Sequence, residues 1–130
     1  MITVKGKASG DISITAATTR LVCEAECAEA YVTLEAASEI RMRNVKGEAY
    51  LDVLGKPSLD YHCEGEVCLT GDYGAIKLRG DYDYFSLEYE ASAESIDARG
   101  SFESFGLQSY VTVGPVYIFG PVNDLYFDED

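Results

Sequence analysis

The sequence predicts an all-β fold: a β-solenoid, in which short strands stack one circuit upon another, followed by an extended C-terminal arm. The first observation is composition, because ten Tyr and five Phe, together with Val, Ile and Thr, suit pleated and half-buried strand surfaces. The second is spacing, because an apolar residue that opens a short alternating segment recurs every 8 to 11 residues. The length of 130 residues fits one domain with a core of its own.

The repeat extends over residues 1–113. Its opening residues are Ile2, Ile12, Leu21, Tyr31, Ile40, Leu51, Leu59, Cys68, Ile76, Phe85, Ile96, Phe105 and Val113. A second apolar or β-branched residue usually follows two positions later, and then a small residue such as Gly6, Gly55, Gly80 or Gly100. This order predicts strands of about five residues that end in tight corners. Two such units, about 18 or 19 residues, predict one circuit (a rung), and six rungs complete the repeat.

The corners favour a solenoid over ordinary hairpins. They read "KASGD", "VKGEA", "GKPSL" and "ARGS", and none is the two-residue Asn-Gly or Asp-Gly turn typical of a β-hairpin. Strands spaced by 8 to 12 residues are also typical of an antiparallel β-sandwich or barrel, which stays the alternative fold.

The segment 23–43 is the one stretch that also fits a helix. It is rich in Ala and Glu, and Cys23, Cys27, Tyr31 and Leu34 fall at helical spacing. Leu21, Cys23, Ala25 and Cys27 alternate equally well against acidic residues, however. Because both flanks have a β pattern, strands are favoured here.

In the spacing of their repeat, the segments "ITVKGKASGDISITA" and "GAIKLRGDYDYFSLEY" resemble short-rung β-solenoids, such as bactofilins and adhesin-like repeats. They also resemble phage spike and decoration proteins. The resemblance covers roughly residues 2–113. It implies a structural protein that polymerises, decorates or attaches.

The segment 114–130 is predicted to be a C-terminal cap or docking arm with an acidic end. Gly-Pro occurs at 114–115 and 120–121, and proline suits an edge strand because it lacks a ladder donor. The apolar residues predicted to dock on a partner are Val116, Tyr117, Ile118, Phe119, Val122, Leu125, Tyr126 and Phe127. Such a segment either covers the last rung or adds a strand to another subunit.

The net charge of −13 limits the partners. Residues 81–130 hold Arg99 alone against eleven acids, so a nucleic acid or an anionic membrane is not expected as a partner. The opening "MITVKGKASG" has no apolar leader core, and glycines and prolines interrupt the uncharged run 104–123. We therefore expect no secretory signal or membrane span, and a cytoplasmic product or a virion component. The cluster of Arg41, Arg43 and Lys46 is predicted to be a solvated face or a contact for the acidic part of a second copy.

The thiol and imidazole groups suggest structure more than catalysis. Cys23 and Cys27, and Cys63 and Cys68, lack the spacing of a zinc knuckle, so buried hydrophobes are favoured over disulfides or metal. His62 is the single histidine, and its neighbour Cys63 would point to the opposite face of a strand. No cofactor is expected.

The tripeptide Gly-Asp-Tyr occurs twice, at 71–73 and 80–82. Asp72, Asp81 and Asp83 are weak candidates for a calcium site through oxygen ligands. A carbohydrate could instead bind Tyr73, Asp81, Tyr82, Asp83 and Tyr84, as the alternative function within the stretch 72–89. The competing interpretation is solvated corner acids with laddered tyrosines, in which geometry alone causes the repetition.

The sequence therefore favours a non-enzymatic structural or assembly protein. We expect a rigid β-module that self-associates as a homo-oligomer or decorates a larger assembly, such as a phage particle or a filament.

Overall fold

The structure is a computed structural model that describes residues 1–108 and 110–127. The strands are β1 (Ile2–Val4), β2 (Asp11–Ala17), β3 (Arg20–Cys23), β4 (Cys27–Arg43), β5 (Val45–His62), β6 (Gly65–Leu87), β7 (Ser92–Leu107), β8 (Thr112–Val113), β9 (Val116–Phe119) and β10 (Val122–Phe127). The long strands β4 to β7 bend around corners, so each one supplies two sides of the molecule.

The strands form a parallel β-solenoid of about seven rungs, which confirms the predicted fold class. All pairs between strands of the described chain are parallel, from β1 with β3 through to β10 with β7. An antiparallel sandwich or barrel is therefore excluded. The segment that also fitted a helix lies in β3 and β4, so the strand prediction is confirmed there.

Columns of inward side chains run along the solenoid, one residue per rung. One column contains Ile2, Leu21, Ile40, Leu59, Ile76, Ile96 and Val116. Its steps are 17 to 20 residues, as the register pairs Leu59 with Ile76 and Ile76 with Ile96 show. The count is seven rungs and not six, because strands β8 to β10 add one more turn of the stack.

The register corrects the expected strand openers at two rungs. Ala30 and Val67 point into the core, whereas Tyr31 and Cys68, their neighbours, point outward. Reading Tyr31 as an inward residue was wrong because alanine is a small core residue here. Ala30 lies between Ile12 and Ala49 in its column, so two successive rungs place a small residue in the core at this position.

Glycines make the corners, as the spacing predicted. Gly80, Gly100 and Gly120 lie directly over one another and have φ values of 129°, 136° and 134°. A side chain is disfavoured in that backbone conformation. At Gly100 and at Gly120, a Cβ atom would also strike the carbonyl oxygen of the preceding glycine in the column.

The core is a single stack of apolar layers. Phe85 and Phe105 lie with ring centroids 4.6 Å apart, and Phe102 meets Phe105 edge to face at 5.5 Å. Each rung thus covers the apolar layer of the rung before it, which a single rung cannot do for itself.

Candidate functional site

The C-terminal end of the stack leaves the core columns uncovered by any described residue. Leu125 lies over Phe105, and Phe127 lies over Leu107, in columns that are fully buried one rung earlier. Leu125 is nevertheless 50% exposed and Phe127 is 55% exposed. The alternation of the strand directs both side chains inward, and they are exposed because no strand of the described residues lies above them.

The remaining docking candidates divide into two sets within this last rung. Val116, Ile118 and Val122 point inward and are partly buried against the core. Tyr117 and Phe119 point outward and are more than half exposed, and the Arg99 guanidinium lies 4.9 Å from the Phe119 ring centroid.

Tyr126 lies flat against the outside of the stack. Its ring covers Gly106, where a Cβ atom would collide with it. The Tyr126 hydroxyl donates to that of Tyr84 at 3.1 Å and accepts from the Gln108 amide at 3.0 Å. Burial and the Tyr84 hydroxyl raise the pKa of Tyr126 to about 12. Tyr126 therefore anchors β10 and is less available to a partner than Leu125.

The same rung also has a free strand edge. Within the described chain, β9 and β10 pair with β7 on one side only. Their other side carries backbone N–H and C=O groups that can pair with a further strand.

The N-terminal end is a second uncovered end, which the sequence did not single out. Ile2, Val4, Ile12 and Ile14 begin the inward columns and are only partly buried. They could have been found by noting that, among the described residues, the first rung pairs with another rung on one side only.

The two Gly-Asp-Tyr tripeptides are two corners of one rung. Gly71 and Gly80 both have positive φ, and the Tyr73 and Tyr82 side chains that follow them are buried. The Tyr73 hydroxyl donates to the Leu51 carbonyl at 3.3 Å. Burial raises the pKa of both phenols well above the usual value. Neither ring is available for stacking on a sugar.

The carboxylates beside them point outward on different sides. Asp72 accepts a hydrogen bond from Ser92, and Asp81 accepts one from Ser101, each at 2.7 Å. Asp72 and Asp81 lie on different sides of one rung, and each stacks on a serine of the next rung, so the structure does not bring the two aspartates together.

Asp81 and Asp83 line a shallow groove of about 180 Å³ with Glu103 and Asn123. Tyr84 lies apart from this groove and hydrogen-bonds Gln108 at 2.6 Å. Among residues 1–108 and 110–127, no group of three or more His, Cys, Asp or Glu side chains is placed to hold a metal ion.

The four cysteines are free thiols. Cys23 and Cys27 are buried, whereas Cys63 and Cys68 are partly buried. Burial raises the pKa of all four, and that of Cys63 reaches about 11. These thiols therefore pack as small apolar groups in the stack.

Of the predicted basic cluster, only Arg43 belongs to a longer stripe, whereas Arg41 stacks on Asp60 of the next rung, 3.8 Å from its carboxylate. Arg43, His62, Arg79 and Arg99 occupy one outward column in successive rungs. Arg43 bonds the Asp60 carboxylate at 3.2 Å. Burial and the neighbouring Arg43 charge lower the pKa of His62, whereas the Asp60 carboxylate, 3.0 Å from the imidazole Nε2, opposes that shift.

Lys46 lies at a corner, 3.7 Å from Glu64. Sequence order hid the extent of the stripe, since its members are 17 to 20 residues apart.

A groove of about 340 Å³ on the outer surface includes a tyrosine stack that the sequence did not reveal. Tyr31 and Tyr50 are parallel within 4°, with ring centroids 5.4 Å apart. Glu29 accepts the Tyr31 hydroxyl at 2.7 Å, and that bond raises the pKa of Tyr31 to about 12. Glu48 likewise accepts the Tyr50 hydroxyl at 3.2 Å.

In comparisons with known proteins, no family model, no curated protein and no solved structure matches the chain. No helix among the described residues is long and apolar enough to span a bilayer. The class that the fold defines is therefore the parallel β-solenoid, and function is inferred from its surfaces.

Proposed function

We propose that this chain is a non-enzymatic structural module, a rigid β-rod that assembles with further copies or with a larger structure such as a filament or a phage particle. The observation that carries the proposal is the uncovered C-terminal end, where Leu125 and Phe127 are half exposed although they belong to core columns.

The energetics favour a cover on this end. Full burial of one large apolar side chain contributes about 1.5–3 kcal/mol. Covering the exposed halves of Leu125 and Phe127 therefore contributes about 1 kcal/mol each. The partly buried Val116, Ile118 and Val122 add to that amount, and pairing of the free edge of β9 and β10 adds hydrogen bonds.

Rigidity suits such a role. Parallel columns join each rung to the next along most of the described chain, and aromatic layers fill the later rungs. Because each rung is hydrogen-bonded and packed against the next, the two ends of the rod keep a fixed orientation relative to each other.

The test is a pair of single substitutions in the last rung. Leu125→Asp places a charge in the uncovered core, and we expect it to weaken assembly by about 3 kcal/mol, roughly a hundredfold. Thr112→Asp adds the same charge to an exposed residue of the same rung and should leave assembly unchanged. The molar mass of each variant is measured by light scattering at matched concentrations. Equal assembly of the two variants would refute a role for this end.

A second candidate function is carbohydrate binding at the tyrosine groove, which includes the end of the stretch 72–89 but neither Tyr73 nor residues 81–84. The Tyr31 and Tyr50 rings are about 40% exposed and share the groove with Asp52, Glu88 and Tyr89. Cys68 follows Tyr50 in the outward column, so the stack of rings stops at a small residue. A sugar ring can stack on an aromatic face while carboxylates accept its hydroxyl hydrogens.

A glycan array with wild-type protein tests this candidate. A positive glycan should lose binding in Tyr50→Ala and in Cys68→Tyr, which fills the groove with a further ring. Tyr117→Ala, which removes an exposed tyrosine outside the groove, is the control. Absence of binding to every glycan, or binding that survives both groove substitutions, would reject the candidate.

A further inference from the structure

The two ends of the solenoid are complementary in shape. Inward columns that begin at Ile2 and Val4 end at Val116 and Ile118. The columns that begin at Ile12 and Ile14 lead to Leu125 and Phe127. In the early rungs, these columns are traced through the pairing of β2 with β4, β4 with β5, and β5 with β6. In the late rungs, they are traced through the pairing of β6 with β7 and β7 with β10. The step between these two sets joins the start of β6 to its end, where the N–H of Glu88, the residue after β6, donates to the Leu69 carbonyl at 3.0 Å.

The two ends are also complementary in charge. Residues 1–19 contain Lys5 and Lys7 against the single acid Asp11, a net charge of +1. Residues 112–127 contain Asp124 and no base, a net charge of −1. Contact between unlike ends therefore brings opposite charges together.

We propose that the C-terminal end of one copy stacks on the N-terminal end of the next, head to tail. This inference rests on the proposed assembly function and adds its polarity. Strand β9 would lie beside β1 of the next copy, and β10 beside β2, all parallel. Each junction would then repeat the spacing and direction of the rungs within the chain, with Val116 over Ile2 and Leu125 over Ile12.

The alternative arrangements lack both matches. Two C-terminal ends in contact oppose negative charges, because each presents Asp124 and no base among residues 112–127, and a twofold axis between them makes their strands antiparallel. Successive copies in a straight stack are related by a rotation that does not bring the chain of copies back to its start. Head-to-tail contacts of this kind therefore produce a linear filament and not a closed ring.

Two end-blocked variants test the polarity. Leu125→Asp blocks the C-terminal end, and Ile12→Asp blocks the N-terminal end. Each variant alone should have the monomer mass of 14.2 kDa by size-exclusion chromatography with light scattering. Their equimolar mixture should form a species of twice that mass, because one open end of each kind remains.

The controls place the same charge on outward positions of the same strands or rungs. Ser13→Asp and Thr112→Asp should assemble like wild type. Circular dichroism checks that each variant is folded. If a charged variant unfolds, Ile12→Ala and Leu125→Ala replace it and should weaken assembly in the same pairwise pattern.

The failures are distinguishable. Ile12→Asp that dimerises alone would establish contact between C-terminal ends, and Leu125→Asp that dimerises alone would establish contact between N-terminal ends. Either result overturns the head-to-tail arrangement and leaves assembly itself standing. A mixture that stays monomeric while wild type assembles also overturns it. Wild type that stays monomeric at every concentration overturns the proposed function.

Discussion

Substitution of Gly100 by alanine tests the corner geometry on which the stacked rungs depend. Gly100 has a φ of 136°, and a Cβ atom there would strike the carbonyl oxygen of Gly80 in the rung below. The backbone conformation costs about 1–2 kcal/mol for a residue with a Cβ atom. Forcing the rungs apart to relieve the collision costs about 1–3 kcal/mol more. We therefore expect Gly100→Ala to lower the free energy of unfolding by about 2–5 kcal/mol.

Gly74→Ala is the matched control. Gly74 is not in the left-handed region, and its nearest neighbour to a new Cβ atom, the Lys56 carbonyl oxygen, would lie 3.6 Å away. Alanine there should be neutral or stabilise the fold by about 0.4–1 kcal/mol, because it restricts the unfolded chain. Urea unfolding followed by circular dichroism measures both variants. A Gly100→Ala variant as stable as Gly74→Ala would refute the stacked-glycine corner.

Three further predictions concern single side chains. Tyr82→Phe should cost about 1 kcal/mol in urea unfolding, because its hydroxyl bonds backbone carbonyls at 2.9 and 3.3 Å. Tyr61→Phe should leave the free energy of unfolding unchanged, because that buried hydroxyl has no hydrogen-bond partner among the described residues. An equal loss of stability in Tyr82→Phe and Tyr61→Phe would contradict this difference in hydrogen bonding. Cys63, with its pKa raised to about 11 by burial, should react slowly with an alkylating reagent in the native protein and rapidly in urea; fast native labelling would contradict its burial. Burial raises the pKa of Asp60, but the hydrogen bond from Arg43 and the surrounding positive charges outweigh burial and lower the pKa overall. The ionised Asp60 therefore stabilises the folded protein at pH values above its unfolded pKa, near 3.8. This stabilisation is lost as the pH falls through the lowered pKa of the folded state. Asp60→Asn should therefore destabilise the protein at pH 7 and lose its effect in acid, and a pH-independent difference would contradict this.

The fold class followed from the spacing because corners and strands recur at nearly constant length. It was harder to predict which residues of each strand point into the core, since Ala30 and Tyr31 are adjacent and either is compatible with an inward position. Period two leaves the choice of face open wherever neighbouring residues are both apolar. Only the rungs on either side, through Ile12 and Ala49, determine which of the two points inward.

The candidate site was predictable in part. The apolar residues of the tail identified the C-terminal end, although the sequence could not distinguish inward Leu125 from anchored Tyr126. The Gly-Pro pairs suggested an arm that leaves the repeat. In the structure, Pro115 and Pro121 instead precede strands of a last regular rung. The basic stripe and the tyrosine stack were invisible because each is assembled from residues one rung apart.

We propose that this rod assembles through its uncovered C-terminal end. The most direct measurement is the molar mass of the wild-type protein by light scattering as its concentration is raised. We predict a mass that grows past that of a dimer and keeps rising with concentration, because each added copy presents a new C-terminal end. A constant mass of 14.2 kDa at all concentrations would contradict the account.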